Sequence, residues 1–219
     1  FNRTGSDGTI SEWMKDGTAV GAIGTYGGTC YMGGSGALGG FMFNGSIEPT
    51  RGASRIDATH DLGSTAYRFK DLYLSGGVYL GGTGAANKLA DYEEGTFVAT
   101  LKGSTGEPAT LITDSGCTYT KIGRIVSITV GFENINTTGY SGSISCAGLP
   151  FVSTGDRTAT NVISYLGATW SGGQIVGVLE AGTTKIDINY IQSNSAWGGS
   201  PHNPGVGRYF WFTATYETP

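Results

Sequence analysis

Along the second half of the chain apolar and polar residues alternate with a period of two, the pattern of strands buried on one face. Val126, Ile128 and Val130 fall on one side of residues 124–130, and Ile186, Ile188 and Tyr190 alternate with Asp187 and Asn189. The same reading predicts strands at residues 96–101, 118–122, 143–147, 161–166, 174–179 and 208–216. Turn clusters separate them, among them Asn136-Thr137-Thr138-Gly139, Ser171-Gly172-Gly173 and Ala181-Gly182-Thr183. About eight strands at this spacing predict a β-sandwich of jelly-roll type. The last strand carries large aromatics on both faces, Tyr209 and Trp211 against Phe210 and Phe212. One set can line a core; the other needs a second surface, for which subunit packing is the simplest cover.

The first half is patterned differently. Asp7-Gly8-Thr9 recurs as Asp16-Gly17-Thr18, and each Asp-Gly is a turn signal between β-prone stretches. The six residues 10–15 between them are too few for a stable helix and are read as strand. From Gly27 to Gly45 small residues alternate with Tyr31, Met32, Leu38, Phe41 and Phe43. So few side chains build no isolated core, but several chains wound together pool them. A flexible linker is the other reading, and the recurring aromatics and Met weigh against it.

Composition sharpens this picture. Of 39 glycines, 20 lie in the first 90 residues and 19 in the remaining 129, which places a domain boundary near residue 90. The expected organisation is a Gly-rich β shaft over 1–90 and a β-sandwich head over 91–219. Collagen is excluded, since no Gly-X-Y period runs through the chain and only 6 prolines are present. A net charge of -4 supplies no field for nucleic acid. No apolar run reaches the roughly 18 residues of a membrane-spanning helix, so no membrane insertion is expected. A start at Phe1 suggests a processed chain or a segment of a longer one. Cys30, Cys117 and Cys146 are odd in number and lack metal-binding spacing, so buried free thiols are expected. A Cys117–Cys146 bridge stays open if their strands are neighbours.

Several short stretches together resemble tail-fibre and related structural proteins of tailed bacteriophages. They are Ser6-Asp7-Gly8-Thr9-Ile10 with Lys15-Asp16-Gly17; Asp61-Leu62-Gly63-Ser64 followed by Tyr67-Arg68-Phe69-Lys70-Asp71-Leu72-Tyr73-Leu74; Asp91-Tyr92-Glu93-Glu94-Gly95-Thr96-Phe97; Tyr119-Thr120-Lys121-Ile122-Gly123; and Gly148-Leu149-Pro150-Phe151. The resemblance spans roughly residues 6 to 151. It implies an all-β homotrimer, an intertwined shaft followed by a sandwich head whose loops touch the host. Its implied partners are a host cell-surface glycan or outer-membrane protein and other tail proteins of the virion, joined through a preceding N-terminal part. Many such fibres continue into a self-cleaving chaperone domain marked by a Ser-Asp-x-x-Leu-Lys motif, which this chain lacks.

No catalytic or cofactor signature accompanies these features. His60 and His202 stand in no metal-ligand pattern, and no nucleophile elbow or phosphate loop occurs. A ring of His60-Asp61 pairs on a trimer axis would lack the repeated His-x-His of metal-binding needles, so no metal is expected. Polysaccharide-cleaving spikes use paired carboxylates, and Asp91, Glu93 and Glu94 are the stretch to weigh for that role; a Glu-Glu pair just before a strand more often forms a solvated or ion-paired collar. Arg68 and Lys70 beside Asp71 read as ion pairs between subunits. For binding, residues 192–207 form a long loop, and loops beyond about 12 residues are usually functional or disordered. There Trp197 lies among Gln192, Asn194, His202 and Asn203, a flat ring for sugar faces with amides for hydroxyls. Trp170 and Tyr140 are secondary candidates. The competing reading is that these aromatics fill crevices between subunits. Three functions follow: receptor binding without catalysis, a purely structural fibre or capsid-decorating role, and a polysaccharide-degrading spike.

Overall fold

Asp16 and Gly17 both adopt positive φ, 51° and 79°, which is the two-residue turn whose twist matches an antiparallel hairpin. This is observed in a computed structural model that describes residues 2, 4–35, 38–154, 158–160, 162–166, 174–191 and 198–219, with 158–160 and 162–166 described by backbone alone. The turn joins β1 (Gly8–Lys15) to β2 (Thr18–Tyr26), setting Lys15 opposite Thr18. Gly27 and Gly28 repeat it between β2 and β3 (Thr29–Gly34). β4 (Gly39–Phe43), β5 (Ile47–Arg51) and β6 (Ser54–Arg55) complete a six-stranded antiparallel meander in sequence order. The Asp7-Gly8 half of the repeat, expected as a second turn, does not reverse the chain. Gly8 opens β1, and the Asp7 carboxylate accepts the Gly27 N–H at 2.6 Å, bracing the turn between β2 and β3 instead.

Strand alternation gives this meander two unlike faces. Tyr31, Met42 and Thr50 are buried on one. On the other, cross-strand neighbours form apolar rows, Met32 opposite Phe41 opposite Pro49, and Cys30 opposite Phe43 opposite Ile47. The large side chains of these rows are between 43% and 68% exposed. Cys30, expected among buried thiols, is exposed with them, because its place in β3 puts it on the open side.

The chain divides into two compact units, Phe1–Tyr73 and Leu74–Pro219. The division falls ahead of the change in glycine density near residue 90, because the short hairpin of β7 (Val78–Tyr79) and β8 (Lys88–Leu89) groups with the second unit.

In that second unit every long strand expected from alternation is present. In chain order they are β9 (Tyr92–Gly103), β10 (Thr113–Ile122), β11 (Ile125–Ile135), β12 (Ile144–Ala147), β13 (Thr158–Thr160), β14 (Val162–Leu166), β15 (Gln174–Leu179), β16 (Lys185–Ile191), β17 (Gly198–Gly199) and β18 (Arg208–Glu217). They pair in one continuous antiparallel sheet, β13-β15-β16-β12-β9-β10-β11-β18-β14, with β17 added to β16. Its two ends, β13 and β14, are one residue apart in sequence, the first paired with β15 and the second with β18. The sheet therefore curls until both ends meet in one stretch of chain, as twist accumulated over many strands favours. No α-helix occurs among the described residues, and the protein is all-β with the inner faces packed as in a sandwich.

The core follows the alternation. Val126, Ile128, Val130 and Phe132 of β11 meet Phe210, Phe212, Ala214 and Tyr216 of β18, with Leu101, Ile144, Ile186 and Ile188 from the neighbouring strands. Phe132 and Phe210 stack at 6.0 Å and 10°. The Tyr216 hydroxyl donates to the Phe151 carbonyl at 3.1 Å, and burial pushes its pKa up to about 12. Cys117 and Cys146 are both free and buried. The bridge left open by sequence does not form, because β9 runs between their strands. Burial raises the pKa of both thiols.

Candidate functional site

Among the described residues two surfaces leave apolar side chains in water, and the expected binding residues that are described, Tyr140, His202 and Asn203, lie elsewhere. Gln192, Asn194, Trp197 and Trp170 fall outside the described residues. Of the rest of the long loop, Gly198 and Gly199 pair with Tyr190 and Asn189 as β17, and Pro201 bridges to Ser143. The described part of the loop is thus tied to the sheet.

His202 is buried and holds that tie. Its backbone N–H donates to the Gly142 carbonyl at 2.9 Å. Its ring Nε2 lies 3.1 Å from the Lys102 carbonyl, which can only accept, so Nε2 carries the proton. Tyr140 stacks on the imidazole at 5.2 Å and 25°, is itself buried, and its hydroxyl accepts the Ile112 N–H at 2.8 Å. Desolvation lowers the His202 pKa, partly offset by the hydrogen bond to Lys102. Neither ring offers a free face; together they pack a loop against the sheet. Asn203, next in the chain, is exposed.

The acidic stretch lies at the start of β9, with only Asp91 ahead of the strand, and is engaged side chain by side chain. Asp91 pairs with Lys121, whose ammonium is nearly buried and also lies 5.4 Å from the Phe151 ring centre. Glu93 accepts the Tyr119 hydroxyl, and Glu94 accepts the Tyr92 hydroxyl at 3.0 Å. Each hydrogen bond raises the pKa of its tyrosine, because ionisation would place two negative charges together. Lys70 reaches Asp71 at 3.5 Å within the same chain, both in solvent. Among the described residues no group of three or more His, Cys, Asp or Glu is arranged to hold a metal.

The first exposed surface lies within the first unit. An open trough of about 1010 Å³ runs over the apolar rows of β4 and β5 and is walled by residues 59–63 and Phe69. Phe41, Phe43, Ile47, Leu62 and Phe69 face it, with His60 on its wall. The Leu-Gly-Ser motif forms a tight turn there, the Ser64 N–H donating to the Tyr67 carbonyl at 2.7 Å and the Tyr67 N–H to the Ser64 hydroxyl at 3.0 Å. Beyond that turn Tyr67, Phe69, Leu72 and Tyr73 are strongly exposed. The second surface is the outer side of β11 and β18, centred on Trp211. Sequence alternation pairs Trp211 with Tyr209 on one face of the last strand without saying which face is outward, and its partner Gly131 belongs to a strand 80 positions away and carries no signal of its own.

No protein-family model matches the chain, and none of the curated proteins compared with it does.

Proposed function

We propose that this chain is the distal segment of a bacteriophage tail fibre, which binds a polysaccharide of the bacterial surface as a homotrimer and without a catalytic step. The observation that carries this reading is the uncovered apolar side of the six-stranded meander. Phe41, Phe43, Ile47 and Pro49, with Leu62 and Phe69 across the trough, leave a contiguous greasy surface that a soluble single copy rarely tolerates. Three copies pooling such surfaces around an axis would bury it, as an intertwined shaft over residues 1–90 does. Residues 91–219 then serve as a jelly-roll-like head.

Binding without catalysis is supported by the acidic collar. Asp91, Glu93 and Glu94 each hold a neighbour in place, whereas a glycosidase needs one carboxyl free to act as acid and another facing the sugar. Three weak sites on one axis then act through avidity, since linkage makes the second and third encounters intramolecular.

The test is the native mass by light scattering. Three times the 22.7 kDa of one chain, about 68 kDa, is expected; a monomer at micromolar concentration would sink the fibre reading.

A further inference from the structure

On the outer side of the second unit Trp211 of β18 lies directly opposite Gly131 of β11. A Cβ at position 131 would come within 3.0 Å of the indole Cδ1. A side chain at 131 would press on the indole and make it give way by a few tenths of an ångström or more, and 38% of Trp211 is exposed. Tyr209 flanks it at 5.2 Å and 49°. Beside the ring is a trough of about 490 Å³ whose polar edges are Thr129, Thr213 and Glu133.

Next to the ring lie two rows rich in hydroxyls, the second ending on Glu94. Thr96, Thr118, Thr129 and Thr213 are successive cross-strand partners over β9, β10, β11 and β18, and all four are exposed. At the usual strand spacing this row is about 14 Å long. The adjacent row contains Thr120, Ser127 and Thr215, the last two sharing a hydrogen bond of 2.9 Å.

We infer that this face is a glycan subsite for a neutral hexose chain, with Trp211 stacking on one sugar ring and the threonine row meeting the hydroxyls of its neighbours. The inference rests on the receptor-binding reading above and gives it a site. A hydroxyl donates or accepts as its partner requires, so a threonine row tolerates the varied hydroxyl orientations of a sugar chain. The indole supplies the apolar surface that the CH face of a hexose seeks. Glu133 at the trough edge repels carboxylate or sulfate, which selects neutral sugars. A second subunit fits less well. Other exposed apolar side chains of this face, Tyr92, Ile122 and Ile125, lie beyond both hydroxyl rows, and a subunit reaching from them to Trp211 would strip water from those hydroxyls without giving them partners.

The experiment titrates cellohexaose, mannohexaose and maltohexaose, with a galacturonic acid hexamer as the acidic control, into the intact protein by calorimetry and saturation-transfer NMR. At least one neutral hexamer is expected to bind, with saturation transfer to its ring CH protons. Trp211→Ala should weaken it about tenfold, the loss of one aromatic stacking contact. Gly131→Val, which displaces the indole but leaves it present, should weaken it similarly, and Thr129→Val less. The inference is overturned if no neutral hexamer binds, if the acidic hexamer binds as well, or if Trp211→Ala binds unchanged. A Trp211→Ala protein of altered native mass would reassign the ring to a subunit contact and overturn it too. A monomeric wild type that still binds the hexamer sinks the fibre reading while leaving the subsite standing.

Discussion

The ammonium of Lys121 is almost wholly buried, yet its partner Asp91 keeps more than half of its side chain in water. The pair is therefore asymmetric: removing Asp91 strands a buried charge, whereas removing Lys121 leaves a carboxylate that water can solvate. Asp91 has positive φ, 66°, a conformation that asparagine also tolerates. Asp91→Asn thus changes charge without adding backbone strain. It should destabilise the second unit by about 1–3 kcal/mol, and Lys121→Met by less. Urea denaturation of both variants checks the order, and equal losses would refute the asymmetry.

His202 makes stability pH-dependent in a stated direction. Its folded pKa lies below the usual 6.5 because burial disfavours the charged ring. The unfolded chain consequently binds more protons as pH falls through 6.5, so the contribution present above that pH is lost on the way down to the folded pKa. Melting temperature should drop between pH 7.5 and 5.5, and His202→Gln should flatten that part of the profile while lowering stability at pH 7.5.

Tyr140→Phe removes the acceptor for the Ile112 N–H and leaves the ring stack on His202 in place. The expected cost is about 1–3 kcal/mol, that of an unpaired amide in a part-buried site. Chemical denaturation reads this, and a loss below about 0.5 kcal/mol would mean that water replaces the hydroxyl.

The three thiols should separate by reactivity. Cys117 and Cys146 are buried with raised pKa values, so they should resist a disulfide reagent until the protein unfolds. Cys30 is exposed and lies in the apolar row with Phe43 and Ile47. It should react quickly in a single copy and slowly when that row is covered by other subunits. Phe41→Asp with Phe43→Asp should restore fast labelling and lower the native mass together.

Much of the local structure was legible from residue order. Residues 174–179 form a strand with the expected limits, and 208–216 extends by a single residue to Glu217, because alternation of buried and exposed positions is a property of the strand itself. Asp16-Gly17 was likewise readable as a hairpin turn, since positive φ at both positions is a local demand. Asp7-Gly8 carried the same local signal and became something else, because its carboxylate met the Gly27 amide 20 residues away.

The candidate binding residues divide along the same line. Tyr140 and His202 have the composition of a sugar site, polar and aromatic among Gly, Ser and Asn, but a stack between residues 62 positions apart buries both. Trp211 was visible as a member of one of two aromatic pairs, one of which had to face outward; that it is the outward one, and that the bare backbone of Gly131 lies beneath it, became apparent only once β11 and β18 were paired in register. Residue order alone determined the period of two, the tight turns and the all-β class, each set by neighbours within a few positions. Which strands adjoin, which thiols are kept apart by β9, and which aromatic ring rests on glycine were decided by tertiary structure. Those outcomes depend on contacts between distant segments, whose free energy is gained only when the whole sheet closes on its core.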